Sequence, residues 1–456
     1  MKVLLIHASI SSCGFDSFAK NDPTESSWIN HGVCSISSYA KKKGFYPELL
    51  DLRLLKDWND FRSKIKLLNP DVVGLSMMSV DYNPVVNCAM IIKECNPKTK
   101  IVVGGAHPTV MIEDIIDNHN FDFIIQGEGE ISFSELLKNI KEGNQSDRVI
   151  KGIRPELDEL PFIDRNLYSG HERPIISDFS EPFVTIIAGR GCKYNCNFCQ
   201  PAERKIFGKK VRRRSAFNVI SELKVLRDEH KFNSLMIHDD CITEDVEWVE
   251  EFCDLYVKEG FKEPFICQSR ADLICRNEGL IKKMKETGLV MFIIGFESGN
   301  QRVLNFLKKG TKVEQNYRAA KICRRYGIKV WANYMLGIPT ETKTEAKDTV
   351  RMIEEIAPDH CSLAFFTPHP GSDLYEYCEK NDLSLIKTHE EYRRNPFGAK
   401  IKGVNYKFLN KISGRDRSNI IFKLRANKTF VFMKNKIKKT EIGRECIKLT
   451  KSLLQR

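Results

Sequence analysis

The 456-residue chain has no apolar run near the roughly 20 residues that a membrane-crossing helix needs. Its opening, MKVLLIHASIS, holds one lysine and too short an apolar stretch for a secretion signal, and reads as a first core strand. Beyond Cys196 and Cys199, no two cysteines stand at C-x-x-C spacing. Structural zinc sites normally draw on closely spaced cysteine pairs and four ligands in all, which sets that reading aside. Cysteine itself is plentiful: fifteen residues, an odd number, with twelve scattered irregularly through segments such as NCAM, FICQ and KICR. A secreted protein would be expected to pair them, so their use points to a reducing, oxygen-poor cytoplasm. Hydrophobic content of 42% and charged content of 29% fit a soluble globular protein, neither disordered nor membrane-embedded.

Net charge is nearly absent from residues 1–385, which carry 52 Lys/Arg against 55 Asp/Glu. Residues 386–456 carry 20 against 5, so the overall +12 belongs to the tail. Ahead of it, short apolar runs at 2–7, 48–52, 71–77, 100–105 and 121–127 alternate with helical patterns at 31–43, 57–68, 84–95 and 130–141. Continuous apolar strands between helices predict a five-stranded, doubly wound parallel domain over 1–143, with ligands at the carboxyl ends of its strands. Residues 144–183, punctuated by proline and charge, read as a linker. A second series predicts strands at 184–189, 234–239, 264–269, 289–297, 328–336 and 360–366. Helices are expected at 216–230, 244–259, 277–287, 313–326 and 342–356. This predicts a partial (βα)6 barrel of TIM type over 184–385, with its chemistry at the carboxyl ends of the strands. Residues 386–456 are expected to form a basic, mostly helical subdomain.

Just past the first barrel strand lies GRGCKYNCNFCQ (189–200), with Cys192, Cys196 and Cys199 in eight positions and no fourth cysteine nearby. Three thiolates can hold three corners of a four-iron cube and leave one iron open to an exchangeable ligand. CKYNCNFC resembles the signature of the radical S-adenosylmethionine superfamily, C-x3-C-x-aromatic-C, with Phe198 as the aromatic. The resemblance implies a 4Fe–4S cluster on the three cysteines, whose open iron binds S-adenosylmethionine and cleaves it to methionine and a 5′-deoxyadenosyl radical. It extends to later strand ends, each a βα turn that could also be ordinary: HDD (238–240), QSRAD (268–272), GFESG (295–299) and LGIPTET (336–342). By resemblance Asp239 and Asp240 lie near the amino group of S-adenosylmethionine. Arg270 pairs with its carboxylate, Glu297 contacts the ribose, and Gly337 and Pro339 belong to the turn packing the adenine.

A doubly wound domain ahead of such a barrel resembles the cobalamin-binding branch of the superfamily. The residues carrying this are SMMS (76–79), GGAHPT (104–109), QGEGE (126–130) and, past the cluster loop, FGKKVRRRS (207–215). The resemblance implies cobalamin contacts from Ser76, Ser79, Gly104, Gly105, His107, Gly127, Glu128 and Gly129. The Asp-x-His-x-x-Gly pattern that ligates cobalt in many such domains is absent. His107 is therefore expected to orient backbone or touch the ligand, not to ligate cobalt.

The expected function is a cobalamin-dependent radical enzyme that methylates an unactivated carbon or phosphorus of a small-molecule or lipid-like substrate. Cyclisation or rearrangement, methylthiolation, and a non-enzymatic corrinoid or redox sensor are the alternatives. Methylthiolation would need three further cluster cysteines in the first domain, and the contexts of Cys13, Cys34, Cys88 and Cys95 do not match that pattern. An external electron donor such as flavodoxin or ferredoxin is implied. The tail, which interleaves Lys/Arg with Ile, Phe and Leu from residue 411, reads as a helical cap with a solvated basic face. A surface for anionic substrates or acidic headgroups is the sharper reading, so peripheral membrane association accompanies the expected cytoplasmic location. No recognised module supports nucleic-acid binding.

Overall fold

The computed structural model describes residues 1–8, 29–168, 180–199, 203–392 and 398–414. Six parallel strands build the first sheet: β1 (Val3–His7), β2 (Glu48–Asp51), β3 (Val72–Ser76), β4 (Lys100–Gly104), β5 (Phe123–Gln126) and β6 (Val149–Lys151). Their order is β2-β1-β3-β4-β5-β6, so the chain reverses direction across the sheet between β1 and β3. Period-two alternation sends Leu4 and Ile6 into one helix-covered core and Val3 and Leu5 into the other, the pattern of a sheet buried on both faces. The helices His31–Lys42, Trp58–Leu68, Tyr82–Cys95 and Glu130–Glu142 fall within about two residues of the expected ranges. Local chemistry sets their starts: the Asn30 side chain accepts from Val33 N–H, and Asp57 accepts from the N–H groups of Asn59 and Asp60. The expected count of five strands is one short. β6 comes from the segment read as a linker, and its three residues are too few to leave a periodic signal.

The second sheet is also parallel and six-stranded: β7 (Phe183–Ile186), β10 (Ser234–Ile237), β11 (Phe265–Ser269), β12 (Leu289–Glu297), β13 (Lys329–Leu336) and β14 (His360–Phe365). Between β7 and β10 runs a short antiparallel hairpin, β8 (Gly189–Arg190) with β9 (Arg212–Arg213). Each strand of the six lies beside its predecessor, and β7 and β14 are the two edges, so the sheet is a half-barrel. Val184, Leu235, Phe265 and Phe292 pack outward against the helices, while Phe183, Met236, Ile266 and Met291 fill the inner face. The helix Lys343–Ile356 begins with a capping box, Thr342 and Glu345 each satisfying the other's backbone.

Past the half-barrel, residues 406–414 are helical and Leu409 is buried in the barrel core. The Tyr406 hydroxyl accepts from the N–H groups of Lys400 and Ile401, each at 2.9 Å. The beginning of the tail therefore caps the barrel. The basic stretch beyond residue 414 lies outside the described residues. Among the described residues no helix is long and apolar enough to cross a membrane.

Candidate active site

The cysteine loop leaves β8 at the carboxyl end of the half-barrel and is held at its middle. Asn197 donates from its backbone to Leu307 O (3.2 Å) and from Nδ2 to Phe306 O (2.6 Å), and its own carbonyl accepts from Leu374 N–H. Phe198, the aromatic of the signature, packs against an apolar cluster containing Val303, Leu307 and Ile338. Cys192, Cys196 and Cys199 are half-buried free thiols, near enough that the charges of Cys196 and Cys192 bear on Cys199. Burial pushes the Cys192 thiol up to about 11 and raises Cys199 as well. Both therefore hold protons at neutral pH that a bound metal would expel.

Cations stand at this loop. The Arg270 guanidinium lies 3.8 Å from Cys196 Sγ and 3.6 Å from the centre of the Tyr194 ring, and it donates to Lys309 O and Asp272. Lys309 Nζ meets Glu297 Oε1 at 2.9 Å, both buried. Burial is the largest effect and opposes the Lys309 charge, but Glu297 and Cys196 together overcome it and raise the pKa. The sequence places Arg270 and Glu297 here. Lys309 and Asn197 carry no signal there, because their partners lie on other elements: Glu297 ends β12, and Phe306 and Leu374 lie on helices.

A Cβ on Gly295 would stand 2.3 Å from Glu297 Oε1 and 2.9 Å from Lys309 Nζ. Gly295→Ala is thus expected to displace the pair and weaken S-adenosylmethionine binding roughly tenfold, about 1.4 kcal/mol, with iron content unchanged. Equilibrium dialysis alongside iron analysis checks this.

Gly337 and Pro339 sit in the turn after β13, where Gly337 N–H donates to Glu341 Oε2 at 2.7 Å. Burial raises the Glu341 carboxyl to about 7, against the N–H groups of Gly337 and Ile338. The folded chain then holds a proton that the unfolded chain releases. This contribution to stability is fully present below pH 4.5 and is lost as pH rises through about 7. Glu341→Gln is expected to flatten that decline, which thermal midpoints across this range would read.

Between the two sheets lies a cleft of about 410 Å³. One wall comes from the first domain: Ser76, Gly104, Gly105, Gly127, Glu128 and Gly129. The other comes from the half-barrel and cluster loop: Ala188, Gly191, His238, Asp239, Asp240 and Cys241. Six of the eight residues expected at cobalamin line it. The other two, Ser79 and His107, do not; they pair with each other at 3.1 Å (Oγ to Nδ1).

The acidic residues divide by role. Asp239 accepts from Ala188 N–H with Oδ1 and from Arg213 with Oδ2, each at 2.7 Å, so it ties strand ends together. Asp240 is exposed, and its charge raises the pKa of Cys192 and Cys199, after the larger effect of burial. Burial and then Asp240 raise the carboxyl of Glu203, another cleft residue.

Glu128 clamps the domains together. Arg190 reaches Glu128 Oε2 at 2.5 Å and Glu130 Oε1 at 2.6 Å, Arg212 also pairs with Glu128, and Ser35 Oγ donates to Glu130. Burial alone would raise the Glu130 carboxyl, but Arg190 holds it below the usual range.

Comparison with known proteins gives the site its family. The B12 binding domain matches residues 22–137 and the Radical SAM superfamily matches residues 186–353. The chain belongs to the cobalamin-binding branch of the radical S-adenosylmethionine superfamily. It is 28% identical to an uncharacterized methyltransferase of Pyrococcus horikoshii, over 74% of this chain and 75% of that one. It is 27% identical to the anaerobic magnesium-protoporphyrin IX monomethyl ester cyclase of Rubrivivax gelatinosus, over 86% and 72%. In fold it is similar to the radical S-adenosylmethionine methyltransferase TsrM of Kitasatospora setae with cobalamin and a 4Fe–4S cluster bound. The TM-score is 0.65 at 16% identity, covering 86% of this chain and 81% of that one.

The cofactors of this branch are a 4Fe–4S cluster, S-adenosylmethionine and cobalamin, and the donor set fits them. Three free thiols beside Arg270 and Lys309, those of Cys192 and Cys199 raised by burial, suit an anionic iron–sulfur centre. The cleft suits a bulky ligand, because its glycines present bare backbone. Gly127 has a φ of +88°, and a Cβ there would project into open space.

Proposed function

We propose that this enzyme methylates an unactivated carbon or phosphorus of a small-molecule or lipid-like substrate. The observation that carries the reading is the cleft, in which the glycine-rich strand ends of the first domain face Asp240 and Cys241 beside the cluster loop. When bound, the cluster supplies the electron that cleaves S-adenosylmethionine to methionine and a 5′-deoxyadenosyl radical, and cobalamin carries the methyl group. The chain's residues do the rest. Cys192, Cys196 and Cys199 hold the iron. Asp240 faces the amino group of S-adenosylmethionine, with Asp239 fixing the turn behind it. Arg270 offers its carboxylate a planar guanidinium, and the Lys309–Glu297 pair fixes Glu297 for the ribose. Gly337 and Pro339 shape the adenine turn. Ser76, Gly104, Gly105, Gly127 and Gly129 would cradle the corrin, with Glu203 on the opposite wall of the cleft. A one-electron donor of the flavodoxin or ferredoxin class would reduce the cluster.

Cyclisation is the second reading, favoured by the cyclase relative that aligns over 86% of the chain. Methylthiolation is disfavoured, because it needs a second cluster in the first domain. There Cys88 is fully buried in a helix–sheet core, its thiol pushed up by burial, and it serves packing. Incubating the reduced enzyme with methyl-deuterated S-adenosylmethionine and candidate substrates separates the readings. Methyl transfer gives a product heavier by one labelled methyl group, whereas cyclisation gives an unlabelled product and would overturn the proposal.

A further inference from the structure

Outside the cleft, two histidines and an aspartate converge on one point. His107 lies on the short helix Ala106–Val110, Asp114 on the turn Ile112–Asp114, and His389 arrives from the segment after the half-barrel. Nε2 of His107 and Nε2 of His389 each stand 3.3 Å from Asp114 Oδ2, and the three atoms lie within 4.8 Å of one another. Ligand atoms held tetrahedrally at about 2.0–2.1 Å from a zinc ion sit roughly 3.3 Å apart.

A hydrogen bond accounts for His389 and Asp114. It does not account for His107, which is fully buried and whose Nε2 makes no hydrogen bond. The other nitrogen of that ring, Nδ1, meets Ser79 Oγ at 3.1 Å. With Nδ1 as donor, the Nε2 lone pair faces the shared point, the arrangement that orients metal-binding histidines. Tyr82 supports both partners: its ring stacks on His389 at 3.9 Å, and its hydroxyl donates to Asp114 O. Two imidazoles and one carboxylate suit a borderline cation of the zinc class, since magnesium and calcium favour oxygen ligands alone.

We propose that His107, Asp114 and His389 bind one zinc-class divalent cation, which pins the segment 389–392 to the first domain. A water completes the fourth position, and as the metal enters, the His389 proton moves from Nε2 to Nδ1 through solvent, leaving a neutral imidazole with its Nε2 lone pair on the ion. None of the three residues lines the cleft, so the ion is structural.

The test uses the full chain reconstituted anaerobically with iron and cobalamin, so that the cluster thiols are occupied. Zinc chloride is added, weakly held metal is washed away with a chelator, and zinc, iron and corrinoid are measured per chain. His389 is 27% exposed, and equal iron and corrinoid in parent and His389→Ala serve as the check that the variant keeps its fold. About one zinc per chain is expected in the parent and little in His389→Ala or Asp114→Ala, with iron and corrinoid equal in all three. Zinc is also expected to raise the thermal midpoint of the parent and not of His389→Ala. Equal zinc in parent and variants, or none in the parent, overturns the proposal.

Discussion

Alanine in place of Cys196 is expected to lower 5′-deoxyadenosine formation at least about a thousandfold, because the cluster carries the chemistry. Iron should fall from about four per chain to below about one, since two thiolates cannot hold the cube. Corrinoid content should not change. The loop keeps its path in this variant through Asn197 and Phe198, whose contacts do not involve the Cys196 sulfur. Cys196 is also not part of the cleft lining. Iron analysis, corrinoid absorbance and product chromatography on one sample check all three outcomes. Loss of corrinoid together with iron would show that the two sites are not separable as described.

Arg190→Ala carries the second large effect. Among the described residues Arg190 is the side chain that bridges Glu128 and Glu130, whose side chains are only 2% and 5% exposed. Removing one partner of a buried ion pair costs roughly 3–5 kcal/mol, because a buried charge loses its compensation. The lower end is expected here, since Arg212 still pairs with Glu128 and Ser35 with Glu130. Glu130 should then bind a proton at higher pH, because burial acts on it without Arg190 to oppose it. The clamp joins the two walls of the cleft, so corrinoid retention should fall along with the midpoint of chemical unfolding. Arg190→Lys, which restores one charge without the two-pronged guanidinium, should lie between. An unchanged midpoint with full corrinoid retention would remove the clamp from the account.

Much of this architecture was legible in the sequence because it is local. Apolar runs marked eleven of the strands, and helical patterns placed the helix starts within about two residues. The cysteine triad was legible for the same reason, as three ligands on one loop. What escaped is long-range. β6 is three residues long, and its pairing with β5 decides its existence. QGEGE read as a glycine-rich ligand turn, yet Glu128 and Glu130 answer to arginines 60 or more positions away. HDD offered two equivalent aspartates. Only the folded chain shows Asp239 engaged with Ala188 and Arg213 while Asp240 faces the cleft. His107 read as a ligand-contacting residue of its turn, but its ring faces Asp114 and His389, a partner 282 positions later in the chain.

The central claim is that one chain holds both cofactors, the cluster on Cys192, Cys196 and Cys199 and the corrin in the adjoining cleft. Anaerobic purification from a cobalamin-fed host, followed by iron analysis and mass spectrometry of bound cofactors, tests it most directly. About four irons and one corrinoid per chain are the expected result. About eight irons, or a chain that retains no corrinoid, would contradict it.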